Sequence, residues 1–154
     1  MSKIPAALEL LFHYAATLHP PEVIGPVPGG TRINFHISGG TVDGPRVRGK
    51  LRPVGADHFL LQTNGVGLID VYAVIETEDG ALIDLRYTGV ADLGEGAHEA
   101  FLEGRMPPRF PLRTAVRARS AHPAYEWLNR LQCFTAGQAD VAALTATYDV
   151  YTLR

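Results

Sequence analysis

The 154-residue sequence predicts an all-β fold, an antiparallel up-and-down β-barrel of about eight to nine strands with one or two short helices. Three observations lead there. Short runs alternate apolar with polar residues at period two, as strands with one face in a core and one in water do. Turn residues recur between those runs: 16 glycines and 11 prolines punctuate the chain, and many turns in a short chain mean many strands. Hydrophobic residues make up 46% and charged residues 19%, enough apolar side chains for one core, so residues 1–154 are read as a single domain.

The elements follow in order. Ala7 to Leu18 is apolar apart from Glu9 and His13, fits a strand or a helix, and stops at His19-Pro20-Pro21. A connection rich in Gly and Pro, Gly25 to Gly30, leads to Arg32-Ile33-Asn34-Phe35-His36-Ile37, a half-buried strand turned by Gly39-Gly40. Val47, Gly49 and Leu51 alternate with Arg46, Arg48, Lys50 and Arg52 in a second strand whose basic side faces water. Asp57 to Thr63 is a strand closed by Asn64-Gly65, Gly67 to Thr77 a longer one closed by Glu78-Asp79-Gly80, and Ala81 to Val90 the next. A short helix over Gly96 to Gly104, the break Met106-Pro107-Pro108 and a strand near Leu112 to Ala118 come after. A helical turn over His122 to Arg130 is placed as a plug for one barrel end, with Asn129 pointing inward. Strands near Leu131 to Ala136 and Thr145 to Leu153 then close the chain.

The central hairpin can be given a register. With Gly80 in the left-handed position of a three-residue loop, Thr77 pairs with Ala81 and Ile75 with Ile83. One face then carries Val71, Ala73, Ile75, Ile83, Leu85 and Tyr87. The other carries Asp70, Tyr72, Val74, Glu76, Leu82, Asp84, Arg86 and Thr88. A one-residue slip would mix the sets, so their segregation selects this loop. Either face can line the barrel: the polar one would make a catalytic lumen, the apolar one, with Ala73 leaving room beside Tyr87, a greasy cavity.

The formal net charge of -2 provides no general basic field, so neither nucleic acid nor an anionic membrane is an expected partner. The basic stretch Arg46 to Arg52 has no interleaved aromatics for base stacking and reads as a solvated strand face. Cys133 is the one cysteine, no stretch approaches the length of a membrane helix, and the start lacks an export signal, so a cytoplasmic location is expected.

Several spaced motifs resemble one family. They are Gly39 to Pro45, Gly55-Ala56-Asp57, Asp70, Asp79 to Ile83, Arg113-Thr114, Pro123 to Asn129 and Asp149-Val150-Tyr151, and they cover nearly the whole chain. In them the sequence resembles the bacterial and fungal proteins of domain of unknown function 3237, small calycin-like β-barrels. The resemblance implies a barrel with an internal pocket and does not imply an activity. His58, Ala73, Asp84 and His36 depart from the pattern expected of that family, and exchanging large rings for Ala73 and for titratable groups would enlarge and polarise any space they line.

Asp70, with His58 and His36, forms the candidate catalytic set, a carboxylate and two imidazoles able to move protons near neutral pH. Tyr72, Asp84, Arg86, Arg32, Tyr87 and Trp127 are the candidate substrate-binding residues, Tyr72 and Arg86 steadying an enolate or phenolate. The competing reading makes the charged set a solvated hairpin face and Trp127 a buried plug. No histidine sits in a ligand motif and no Gly-x-Gly-x-x-Gly or Walker sequence occurs, so neither metal nor cofactor is expected. Ser38, Ser120 and Cys133 lack the context of a nucleophile.

These features are read as a cofactor-independent acid–base enzyme, an isomerase, cyclase, lyase or hydratase, acting on a small hydrophobic or aromatic molecule. The alternatives are a non-catalytic carrier or sensor of a hydrophobic ligand, and an oligomeric module that binds another protein. A homodimer or higher homo-oligomer fits any of the three.

Overall fold

The computed structural model describes residues 1–154. Ten strands form one antiparallel sheet that closes on itself: β1 (Leu8–Leu18), β2 (Glu22–Val27), β3 (Gly30–Asp43), β4 (Gly49–Leu51), β5 (Ala56–Gln62), β6 (Val66–Thr77), β7 (Leu82–Asp92), β8 (Arg109–Arg119), β9 (Cys133–Asp140) and β10 (Thr145–Leu153). A single short helix, α1 (Ala97–Leu102), and a 3-10 turn, Glu126–Arg130, complete it. No helix is long and apolar enough to cross a membrane.

The barrel has eight staves because two of them are broken. β1 and β2 both pair with β3, at His13↔Asp43 through Thr17↔Gly39 and again at Glu22↔Asn34, on either side of His19-Pro20-Pro21. Proline lacks the N–H a ladder needs, so the stave breaks there and resumes. β4 and β5 likewise both lie between β3 and β6, separated by Arg52 to Gly55. Joined this way, the staves run up and down in chain order, and β1 closes on β10 from Leu8↔Leu153 to Thr17↔Thr145.

Two expectations change. Gly39-Gly40 is no turn: β3 runs through both residues, and a Cβ on Gly40 would stand 2.2 Å from the Ala15 carbonyl oxygen, so glycine here lets β1 and β3 cross closely. Residues Gly25 to Val27 are no free connection but part of β2, an edge length in which Pro26 sits opposite Thr31.

The three-residue turn holds. The Thr77 N–H donates to the Ala81 carbonyl and the Gly80 N–H to the Thr77 carbonyl, each at 2.9 Å, with Gly80 at φ 84°. Ile75 pairs with Ile83 and Tyr72 with Arg86. Asp79 stiffens the turn, accepting from the Thr77 hydroxyl at 2.5 Å and the Tyr125 hydroxyl at 2.8 Å. The apolar face of this hairpin looks inward, with Ala73, Ile75, Ile83 and Leu85 all fully buried.

Tyr125 to Leu128 closes the barrel at the turn end, Leu128 fully buried and Trp127 covered by the Arg46 guanidinium at 3.6 Å. Asn129 does not point inward. It is exposed and latches the plug to the end of β8, accepting from the Ser120 N–H at 2.8 Å and donating to the Ser120 carbonyl at 2.9 Å.

Gly67 gives a direct check on the packing. It faces inward beside the Phe59 ring, and a Cβ there would stand 2.0 Å from Phe59 Cζ. Gly67→Ala is therefore expected to lower stability by about 1–3 kcal/mol through overpacking, read as an earlier midpoint in urea; an unchanged midpoint would mean that this contact yields freely.

Candidate functional site

The end opposite the plug opens into a cavity of about 100 Å³. That is somewhat less than the roughly 150 Å³ of an apolar cavity that accepts benzene. Its lip is formed by Leu18 and Pro21 at the β1–β2 break, Met106, and Val141 and Leu144 in the β9–β10 turn. Its wall holds Phe35 and Phe59, packed edge to face with centroids 5.6 Å apart, then Val71, Leu112, Tyr87 and Tyr148.

One carboxyl, Asp57, faces into this wall. It shares the inward side of β5 with Phe59 and Leu61. The β5–β6 ladder pairs Asp57↔Val71, lapses, and resumes at Leu60↔Leu68; within the lapse the Asp70 N–H donates to Asp57 Oδ1 at 3.0 Å. A side-chain carboxylate thus replaces a ladder acceptor and is fixed in place by it. Burial pushes the Asp57 carboxyl up to about 7; the negative charge of Asp70 adds to the rise, and the Asp70 N–H and the Arg32 guanidinium oppose it.

Three tyrosines pack behind and beside this group. Tyr14 of β1 stacks on Tyr148 of β10 with centroids 4.8 Å apart, and Tyr87 of β7 meets both edge-on. Gly137, opposite Tyr148, makes room, since a Cβ there would come within 2.6 Å of Tyr148 Cδ1. Burial holds all three hydroxyls well above the ordinary phenol range, and the neighbouring phenols and Asp57 add to it. The Tyr14 and Tyr87 hydroxyls are neighbours without hydrogen-bond geometry, and the Tyr14 hydroxyl is buried with no partner. The site can hold, donate and accept protons in an apolar setting.

Of the residues singled out from sequence, Tyr87 alone lines the cavity. Asp70 and Tyr72 of β6, and Asp84 and Arg86 of β7, occupy the outward parity of the same hairpin, so the polar set does not form a lumen. Arg86 lies over the Tyr72 ring at 5.6 Å and Asp84 pairs with Arg119 at 3.6 Å. His36 and His58 also point outward: His36 meets Glu22 at 3.0 Å, His58 meets Asn34 at 3.3 Å, and Asn34 donates to Glu22 at 3.1 Å. Arg32 donates to the His58 carbonyl at 2.6 Å on that outer side, and Trp127 belongs to the plug at the far end. No three His, Cys, Asp or Glu side chains stand close enough to hold a metal ion.

Asp57, Tyr14 and Tyr148 were not among the candidate site residues read from the sequence, Asp57 being noted only within the Gly55-Ala56-Asp57 motif and its strand. The signal was a single acid in an otherwise apolar alternating set, Asp57-Phe59-Leu61, and phenols in the sets Phe12-Tyr14-Ala16 and Ala146-Tyr148-Val150.

The Asp57 carboxyl predicts a pH dependence of stability. Its folded value, about 7, lies above its unfolded value, 3.8, so the folded state binds this proton more tightly. Its favourable contribution is complete below the unfolded value and is lost as pH rises to about 7. Asp57→Asn should leave stability near pH 4 little changed and raise it at pH 8 relative to wild type, by at most roughly 4 kcal/mol, measured as the difference between urea midpoints across that range. Parallel pH profiles for the two proteins would refute the shift.

The barrel has counterparts among known proteins. A family model described as "Protein of unknown function (DUF3237)" matches residues 6–153. A UPF0311 protein of Rhodopseudomonas palustris is 28% identical over 146 residues, 92% of each chain. A β-barrel-like protein from Acinetobacter baumannii superposes with a TM-score of 0.84 at 27% identity, over 99% of both chains. An enzyme from Penicillium herquei shares the fold with a TM-score of 0.73 at 19% identity, covering 100% of this chain and 98% of its own. With a family model matched from residue 6 to 153 and the same barrel in its relatives, this chain belongs to the DUF3237 family.

Proposed function

We propose that this protein is an acid–base enzyme that takes a small apolar or aromatic molecule into its barrel, with Asp57 as the proton-transferring group. The observation that carries this reading is one carboxyl, pushed up to about 7 by burial, in the wall of a largely apolar, phenol-lined cavity. A base is most effective when its pKa lies near the working pH, and burial has moved Asp57 there.

Asp57 Oδ1 is engaged by the Asp70 N–H, which orients the carboxylate and leaves Oδ2 to act. In this reading Oδ2 takes a proton from an acidic C–H, O–H or N–H of the substrate, Tyr87 and Tyr148 donate hydrogen bonds to an oxyanion where one develops, and Asp57 returns the proton at another atom. The net change is isomerisation, ring closure, or addition or elimination, with no electron gained or lost. That the same fold serves an enzyme in Penicillium herquei is consistent with this.

A second reading, a non-catalytic carrier of a hydrophobic ligand, is favoured by the lining, in which 15 of 19 residues are hydrophobic. The two separate in one experiment on wild type, Asp57→Asn and Asp70→Asn with a panel of phenols, enones and hydroxy acids. For the enzyme, turnover should rise with pH through about 7, fall at least about 100-fold in Asp57→Asn, and survive in Asp70→Asn, which keeps the orienting N–H. Saturable binding without turnover by any of the three would instead establish the carrier.

A further inference from the structure

Every ionisable side chain that lines the cavity is an acid: Asp57 and Tyr87 and Tyr148 in the wall, Asp140 at the lip. No lysine, arginine or histidine faces in. The one cation near Asp140, Arg109, holds it at 3.4 Å and does not line the cavity. The aromatic side chains of Phe35, Phe59, Tyr87 and Tyr148 make up much of the wall that Asp57 shares.

We infer that the ligand of this cavity is a small organic amine bound as its cation, an ammonium group on Asp57 and an apolar body of about one ring among the aromatic side chains. The inference rests on the proposed use of this cavity for a small apolar or aromatic molecule and adds its charge.

Three comparisons support it. An anion entering would meet the Asp57 and Asp140 carboxylates and no cation, at a cost in like-charge repulsion that an apolar wall does not screen. A neutral alcohol donates one hydrogen bond to the Asp57 carboxylate without bringing an opposite charge, and a ketone has no proton to donate to it. An ammonium makes that bond as an ion pair, with both partners charged and in an apolar setting, and is attracted to aromatic rings as well. It also supplies the countercharge that Asp57 lacks inside the barrel, since Arg32 acts only from the outer side and Asp70 is of like sign. The volume of about 100 Å³ limits the enclosed part to one small ring or a short branched chain.

The groups that bear on Asp57 set the expected pH response. They are Asp70 on β6, Arg32 on β3, and Tyr14, Tyr87 and Tyr148 on β1, β7 and β10. With the tyrosines neutral throughout, Asp57 is the group that changes charge between pH 6 and 8. An ammonium binds its carboxylate and releases its proton, whereas a neutral acceptor prefers the protonated carboxyl.

The test is calorimetric titration of the full chain with benzylamine, benzyl alcohol and benzoate at pH 6 and pH 8, in two buffers of different ionisation heat. The inference expects benzylamine to bind at least about tenfold tighter than benzyl alcohol at pH 8, with the ion pair the stronger contact, and benzoate not at all. Benzylamine affinity should rise about tenfold from pH 6 to pH 8, with close to one proton released per ligand at pH 6. Asp57→Asn should lose the benzylamine preference and keep benzyl alcohol binding; the wild-type pH response serves as the independent measure should that variant misfold. Benzyl alcohol binding as well as benzylamine, or a benzylamine affinity that falls with pH, overturns the amine and leaves the acid–base reading standing. Binding of none of the three overturns both.

Discussion

Closure of β1 on β10 is the constraint on which the rest of the barrel depends. Once the sheet closes, each stave gives alternate side chains to an interior that water does not reach freely, and parity decides where they face. The parity survives the two broken staves because Pro20-Pro21 and Arg52 to Gly55 interrupt pairing without ending it. It fills the turn end with Ile75, Ile83, Leu85, Val116 and Leu128, all fully buried, and leaves the opposite end partly empty.

Asp57 stands against that arrangement. An apolar side chain at the same inward position would extend the core, whereas the carboxyl forgoes hydration and keeps one strong hydrogen bond, from the Asp70 N–H. Local rules that favour apolar packing are broken most often where function requires it, and an acid held ready to ionise inside an apolar wall is such a break. The unpartnered Tyr14 hydroxyl beneath it is a second polar group placed at a cost.

Much of the fold was legible from residue pattern alone. The register of the β6–β7 hairpin followed from the segregation of Val71, Ala73, Ile75, Ile83, Leu85 and Tyr87 from their charged neighbours, because a slip of one residue would have mixed them. β2 was not legible, since Gly25, Pro26 and Pro28 carry loop chemistry and only its edge position lets it pair. Gly39-Gly40 misled for the converse reason: glycine marks close backbone approach as well as turns, and here it admits the Ala15 carbonyl. The site was harder. Alternation identifies two faces but not which one a closed sheet turns inward, and a concentration of charge drew attention to Asp70, Asp84 and Arg86 rather than to a lone acid among apolar residues.

The outer set still bears on the lumen, through the wall. The lapse between β5 and β6 that lets Asp57 reach the Asp70 N–H also brings the Asp70 carboxylate near it, and the charge of Asp70 helps to raise the inner carboxyl while Arg32, anchored on the His58 carbonyl, draws it down. Burial contributes more than either, and with them it holds the Asp57 carboxyl up at about 7. The outer charges adjust where within that range it rests. A barrel wall one residue thick makes this coupling unavoidable: in β5 and β6, neighbours along the strand face opposite solvents yet stay within electrostatic reach of one another.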